Sequence, residues 1–600
     1  MNEKFTSTED TRMTVLSDQL AHRWLDAFET ALNLGEVDQV AALFDTDAHW
    51  RDVLAFTWEF SSERGKDNVG ARLAKHQAEM KAKSFHLPKD REPPRKVRRI
   101  GRECVEAIFT FSTVVGRCAG IVRLVTDESG EPKAWHISTL LEEIAGHEET
   151  VGDNRPTGAA YSRNFGGDNW LDMRRKALAY EDHEPAVLVI GGAQAGLSIA
   201  ARLNQLGVDT LVVEKTQRIG DSWRNRYHSL ALHNSIHLNH LPYMDFPPTF
   251  PKYVPKDKLG NWFEFYADAM EINCWTDTEM VSGEWDETAK VWTVHLRRSD
   301  GRERVVKPKH LVFANGVSSY PYIPNLPRIS DFKGDVIHSE GFQNGAAWSG
   351  KRALIIGTGS SANDIALDLH SFDVNTTIVQ RGSTTVVSID PSARLNEAVW
   401  DEGLLLDDAD LIVASTTPPL MVEGYKLATQ RMLDLDAEMI DGLKGIGFKL
   451  DFGEDETGHQ MKYFRRGGGY NLDAGSSALM IKGEIGLLHY ENIDRFVADG
   501  ALLKDGSTVP AELIVVATGY YPQKELVRRS LGNEVAERIG PVWGLDTKGE
   551  LNNMFCRTPQ EGLWFMAGAL PHCRINSKYL ALQIKASEIG LLGPRKSSAA

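Results

Sequence analysis

The stretch AVLVIGGAQAGLSIAARLNQLGVDTLVVEK, residues 186–215, constrains the fold of this chain more than any other. AVLVI is an apolar run of the kind buried on both faces of a parallel sheet. GGAQAG is a turn, LSIAARLNQLG carries a helical pattern ending at Gly207, and DTLVVE is a second strand closing on an acid. Strand, turn, helix and strand within about 30 residues make a βαβ unit. Gly191 permits the sharp turn, and Gly196 lets the helix lie close against the strand. The helix N-terminus then offers free N–H groups and a positive dipole end to a pyrophosphate. Glu214, followed by Lys215, sits where a carboxylate accepts hydrogen bonds from a ribose. One position departs from the G-x-G-x-x-G fingerprint: its central glycine is Ala193. Gly191, Gly192, Ala193, Gln194, Gly196, Glu214 and Lys215 are the expected dinucleotide contacts. The competing reading is a βαβ crossover without a ligand.

KRALIIGTGSSANDIALDLHSFDVNTTIVQRGS, residues 351–383, repeats the design. Gly357 and Gly359 supply the turn, Ser360 and Ser361 open the helix, and Ala362 replaces the third glycine. The second strand ends on Gln380–Arg381 instead of an acid. An acid there holds a free ribose 2′-OH, whereas an arginine suits a 2′-phosphate. The first unit therefore reads as an FAD site and the second as an NADPH site; otherwise Arg381 is a surface arginine at a strand end. The expected class is α/β, with two Rossmann-like dinucleotide-binding domains, the NADPH domain inserted into the FAD domain. LVFANGVSSYPYIPNLP, 311–327, is expected as a first crossing. ELIVVATGYYP, 512–522, is expected as the return strand into the FAD domain, bringing Thr518 and Gly519 to the cofactor.

At 600 residues the chain is long enough for three or four domains. A net charge of −16 argues against nucleic acid and anionic membranes as partners. The one basic run, KDREPPRKVRR at 89–99, reads as a solvated loop. Five cysteines without a C-x-x-C pair fit a reduced, cytoplasmic protein and leave no metal-ligand spacing. The polar start predicts no signal peptide, and no apolar run reaches the length of a membrane helix.

The first 150 residues have their own character. Leu20, Trp24, Phe28 and Leu32 recur at helical spacing, and a short helix is expected around VAALFDTDAHW. Residues 107–128 and 134–144 read as strands. Helices followed by an antiparallel sheet suggest a small α+β domain. Asp47, His49 and Asp52 are candidates for a polar site in it, or ordinary polar residues at a helix–strand junction. Residues 147–185 read as a linker containing one helix at 169–179. The expected division is 1–150, a linker 151–180, an FAD-binding part 181–345, an NADPH-binding part 346–505, and a second FAD-binding part 506–600.

FKGDVIHSEGF, 332–342, precedes the second glycine turn. Its pattern F-x-G-x-x-x-H-x-x-x-F, carried by Phe332, Gly334, His338 and Phe342, resembles the signature of the class B flavoprotein monooxygenases. GDSWRNRYHSLALHNSIHLNHLPYMDFPPTF and residues 540–586 are similar to that family too, especially to its YUCCA-like branch, so the resemblance covers about residues 180–590. The order of elements before residue 150 resembles the SnoaL-like, nuclear-transport-factor-like cone fold. Within the family the signature links the two domains and helps place NADPH, which assigns a role to Gly334 and His338. Trp223 and Arg224 match a flavin-side pair, and Asn234 matches an asparagine near the flavin. The resemblance implies an FAD-dependent, NADPH-consuming monooxygenase that forms a C(4a)-hydroperoxyflavin. One oxygen atom then passes to a small molecule, at nitrogen, sulfur or a carbonyl. It implies a small-molecule substrate and molecular oxygen as partners, and a possible homodimer. Two rivals stay open: an NADPH oxidase that releases peroxide, and a non-enzymatic dinucleotide-binding sensor. A flavin disulfide reductase would need a cysteine pair that the sequence lacks. Tyr463, Arg465 and Arg466 are read as surface residues, or as partners for a substrate acid.

Overall fold

The computed structural model describes residues 8–157, 164–318 and 320–593. Part of the 147–185 linker and the first seven residues of the polar start lie outside the described residues. Of the linker, Trp170–Ala179 forms the expected helix, capped by Asn169 and Asp172 in a reciprocal box.

The N-terminal helix Thr8–Leu34 buries Trp24, Phe28 and Leu32, as its spacing predicts. Trp24 stacks on Phe28 with ring centroids 4.8 Å apart, and Phe44 meets both edge-on. The helix lies on a seven-stranded sheet whose central strands are Phe44–Val53, Pro132–Ile144, Gly116–Thr126 and Arg102–Ser112. The helix expected around VAALFDTDAHW is confined to Val37–Ala41, and FDTDAHW belongs to the strand Phe44–Val53. Phe44, Ala48 and Trp50 recur on the core face of that strand, a pattern that a β register satisfies and a helix does not.

The basic run 89–99 is likewise not a solvated loop. Arg95–Arg99 is a strand paired to Arg102–Ser112. Its arginines meet carboxylates: Arg91 pairs with Asp408, Arg95 with Glu106 and Glu402, and Arg99 with the same two. Arg123 donates to Glu106 from the next strand at 3.0 Å. Burial pushes the Glu106 carboxyl up, but the Arg99 hydrogen bonds and the nearby arginine charges outweigh it and hold it at about 2. A folded pKa below the unfolded 4.5 means stability that is complete above about pH 5 and is lost as pH falls toward 2. The gap corresponds to roughly 3 kcal/mol. Denaturant unfolding should therefore show a stability difference between wild type and Glu106→Gln that shrinks from pH 7 to pH 3. An equal difference at both pH values would contradict this assignment.

Two further sheets carry the glycine turns. The first is parallel, in the order Asn273–Trp275, Thr210–Val213, Val187–Ile190, His310–Phe313, Leu563–Phe565. The second is also parallel: Asp335–His338, Leu513–Val516, Arg352–Ile356, Asn375–Gln380, Gly486–His489. This α/β architecture matches the expectation, with one relocation. ELIVV returns to the second sheet, not the first; the strand that closes the first sheet is Leu563–Phe565. LIVV and LWF are equally apolar and buried, so only strand pairing separates them. The second unit thus takes strands on both sides of the expected 346–505 span.

Candidate functional site

In the first unit, the turn after Val187–Ile190 is built by close approach. Gly191 has φ +112°, and a Cβ there would sit 2.9 Å from the Ala314 carbonyl oxygen. A Cβ on Gly196 would run into the Gly191 carbonyl, so this glycine sets the helix-to-strand distance. Ala193 caps the helix Gln194–Gln205 with φ −100° and ψ −163°, extended backbone that needs no glycine. The first N–H groups of that helix have no intrahelical acceptor. Gly192 N–H donates to Glu214 Oε2 at 2.8 Å, while Thr216 donates twice to Oε1. Three of the roughly four acceptor positions of the carboxylate are used, which fixes Glu214 and leaves one, on Oε2, for a ribose hydroxyl. Lys215 is exposed at the strand end.

Gln194 reaches across the turn. Its Nε2 donates to Gly568 O at 3.2 Å, and Trp223 Nε1 donates to its Oε1 at 3.0 Å. Trp223 is therefore tied to the turn. Arg224 is committed elsewhere, to Asp221, Glu264 and Asn261. The pair is split between a residue facing the turn and one that braces the helix Lys256–Ala269.

In the second unit, Gly357 has φ +130°, and a Cβ would strike the Ala517 carbonyl. Gly359 faces open space, with only Tyr470 O at 3.5 Å. Ser360 starts the helix Ser360–Ser371 and accepts from Leu472 N–H at 3.1 Å; Ser361 follows on the same first turn. Arg381 is exposed just past the strand, beside Gly382, and has no hydrogen-bond or ion-pair partner among the described residues. Both turns fit a dinucleotide: each has a glycine cradle, an open helix N-terminus and, at the second strand end, an acid in one and an unpaired arginine in the other.

The segment 332–342 links the units. Gly334 is needed because a Cβ would strike the Glu512 carbonyl, and Phe342 is fully buried. His338 ends the edge strand Asp335–His338 of the second sheet. Its Nε2 lies 3.1 Å from Gly519 O, and its Nδ1 accepts from Glu340 N–H. Thr518 Oγ1 donates to Tyr322 O at 2.6 Å. His338, Thr518 and Gly519 therefore form one junction, where the second sheet meets the chain leaving the first. Burial lowers the His338 pKa, so the ring is neutral at ordinary pH.

A chamber of about 1120 Å³ lies beside the first unit. Asn234 lines it; its Nδ2 donates to Glu397 Oε1 at 3.1 Å, and its Oδ1 has no partner among the described residues. Glu397 is 3% exposed and also accepts from Ser235 N–H and Oγ–H. Ala569, Pro571 and His572, at the start of the helix Leu570–Glu588, form the end of the chamber nearest Gly568 and Gln194. The chamber thus reaches Ala569, the residue after Gly568, whose carbonyl accepts from Gln194 of the first glycine turn. Tyr463 is half-buried in the chamber wall: its hydroxyl accepts from Ala569 N–H at 3.0 Å, and its ring stacks on His572. Arg465 pairs with Asp455 and Arg466 with Glu454, so neither is free to meet a substrate acid.

Of the N-terminal candidates, Asp47 and His49 meet, with His49 Nε2 3.8 Å from Asp47 Oδ1, while Asp52 stands apart from both. Asp47 is exposed and paired with Arg64. His49 and Asp52 lie on opposite faces of their strand. Asp52 is fully buried and accepts from Phe56, Thr57 and Thr139; burial raises its pKa to about 6. It holds a turn. His49 Nδ1 instead lies 3.3 Å from Thr417 Oγ1, outside its own domain. Sequence reasoning missed Glu397, His459 and His572 because each enters the site through contacts distant in sequence. Their local signals are single polar residues in ordinary helical runs.

Residues 184–399 match the Flavin-binding monooxygenase-like family. The chain is 26% identical over 343 residues to the probable indole-3-pyruvate monooxygenase YUCCA4 of Arabidopsis thaliana, spanning 56% of this chain and 75% of that protein. It is 29% identical over 352 residues to the indole-3-pyruvate monooxygenase YUCCA4 of Oryza sativa subsp. japonica, spanning 56% and 74%. Among solved structures, cyclohexanone monooxygenase from Rhodococcus sp. Phi1 bound to NADP+ aligns with a TM-score of 0.49 at 17% identity, over 68% of this chain and 85% of that one.

Proposed function

We propose, from the match of residues 184–399 to the Flavin-binding monooxygenase-like family, that the chain inserts one atom of molecular oxygen into a small organic molecule held in the chamber. The enzyme is a flavin-dependent NADPH monooxygenase, with FAD and NADPH as its cofactors. The observation that supports this best is the pairing of two unlike glycine turns: Glu214 ends one and an unpaired Arg381 ends the other. Bound there, the two dinucleotides would supply hydride transfer and the activation of oxygen.

The protein's own part is binding, orientation and exclusion of water. Gly191, Gly192, Ala193, Gln194 and the first turn of the following helix hold a pyrophosphate, and Glu214 holds a ribose. Gly357, Gly359, Ser360 and Ser361 do the same in the second unit, with Arg381 on the 2′-phosphate. His338 fixes the Thr518–Gly519 junction, and so the relative placement of the two units. Asn234, held by Glu397, offers Oδ1 to the substrate side. The N-terminal domain is of the SnoaL-like cone kind, a reading supported by the long helix laid across its sheet. The enzyme works in the cytoplasm on a diffusible substrate.

Arg381→Ala should raise the KM for NADPH by about tenfold, the scale of one exposed charge-assisted hydrogen bond. The KM for NADH, which lacks the phosphate, should stay within about twofold by the same argument. Steady-state kinetics with both dinucleotides check this, and equal effects on the two would remove the 2′-phosphate assignment.

A further inference from the structure

The chamber is not confined to the flavin-monooxygenase part of the chain. Arg51 and Val53 of the strand Phe44–Val53 line it, as do Trp58, Phe60, Arg99 and Ile100. All six come from the N-terminal domain. Asn234, His459, Tyr463 and His572 line the other side. We infer that the N-terminal α+β domain forms one wall of the substrate chamber, and that the chamber takes an organic molecule with an apolar or aromatic body and a hydrogen-bonding head. This inference rests on the proposed monooxygenase reading and deepens it.

The domain is fixed in place as a wall must be. Arg51 forks onto Glu550 at 2.5 and 3.1 Å. Arg91 pairs with Asp408, Arg99 with Glu402, and Lys578 with Glu142. His136 Nε2 lies 2.8 Å from Ser415 O, and Phe60 meets Tyr579 edge-on at 6.0 Å. The strand pattern explains the docking. Trp50 and Asp52 point into the domain's own core, and the alternate residues His49, Arg51 and Val53 point out toward the neighbouring body. The outward face is therefore buried by the rest of the chain instead of enclosing a separate pocket.

Several charges in the wall are already matched, whereas Arg98 and Lys548 also line the chamber and are exposed, with no carboxylate partner among the described residues. Arg51 is held by Glu550, and Arg99 and Arg123 are held by Glu106, with Glu402 also on Arg99. Glu397 is satisfied by Ser235 and Asn234. A substrate carboxylate placed against Arg51, Arg99 or Arg123 would have to displace an existing partner, while Arg98 and Lys548 stay open to it. Neutral polar atoms are open as well. His459, 4% exposed, has an unpartnered Nδ1, and so has His572. Each ring nitrogen donates or accepts according to its tautomer, which suits a carbonyl, hydroxyl or amide head. Tyr463 and Phe464 beside His572 supply the aromatic surface for the body.

The test uses the full-length FAD holoenzyme and equilibrium dialysis with benzyl phenyl sulfide, a neutral probe. Trp58→Ala and Ile100→Ala should each weaken the neutral probe's binding by about tenfold, the scale of removing one apolar group from a pocket wall. Flavin content and the circular dichroism spectrum report whether each variant is folded, and one folded variant is enough. Unchanged affinity in a folded variant overturns the wall. A wild type whose flavin is not reduced by NADPH would instead remove the monooxygenase reading itself.

Discussion

Gly196→Val yields a protein that purifies without flavin. A Cβ at residue 196 collides with the Gly191 carbonyl and meets Val189 Cγ1 at 3.3 Å. Both are fixed: Val189 lies within the parallel sheet, and Gly191 N–H donates to Val213 O at 2.8 Å. The helix Gln194–Gln205 must therefore move away from the strand. That displaces the N–H groups offered to the pyrophosphate and overpacks a dry contact, at about 1–3 kcal/mol or more. The flavin absorbance per protein should fall below about a tenth of wild type, because misplacing this cradle forfeits more than the roughly 1.4 kcal/mol that a tenfold loss requires. Retention of full flavin would mean that this turn does not hold the cofactor.

Arg574→Met destabilises the fold by about 3–5 kcal/mol, the range for stranding one member of a buried ion pair. Arg574 is 3% exposed, and its guanidinium forks onto Asp410 with both contacts at 2.7 Å. It also donates to Leu238 O and His240 O, at 2.6 and 2.8 Å. One side chain thus ties the last helix to the helix Leu406–Ala414 and to the loop beside the chamber. Adding Asp410→Leu should recover most of the loss, because removing both charges leaves no uncompensated ion. Arg574→Lys should recover less, since an ammonium cannot span the fork and the two carbonyls together. Denaturant unfolding of the four proteins checks the series; a single variant within about 1 kcal/mol of wild type would show the pair to be solvated.

The parts legible in the sequence were those governed by local geometry. The turn at Gly191–Gly196, the acid at 214 and the arginine at 381 follow from the chain's need to bend, approach and stop within about thirty residues. The helix Thr8–Leu34 and the strands within 102–144 follow from apolar periods of 3.6 and 2. What stayed hidden depends on partners far along the chain. LIVV at 513–516 and LWF at 563–565 carry the same local signal, and only sheet order assigns one to each unit. The arginines of 89–99 look solvated until Glu106, Glu402 and Asp408 are brought to them. Asp52 looks like a reactive acid until Thr57 and Thr139 are seen to use its oxygens. His49 reads as one of a local polar group, and its contact with Thr417, more than three hundred residues away, has no local signal. The chamber belongs to this second class: its walls come from many separated stretches, and no window of sequence contains it.

The account rests on oxygen reaching a bound organic molecule instead of leaving as peroxide. The direct measurement is to supply the holoenzyme with NADPH, benzyl phenyl sulfide and isotopically heavy molecular oxygen, then weigh the recovered sulfide and its oxide and assay peroxide. The account predicts sulfoxide carrying one heavy oxygen atom, in an amount close to the NADPH consumed. NADPH consumed with peroxide released and the sulfide recovered unchanged would contradict it and make the protein an oxidase.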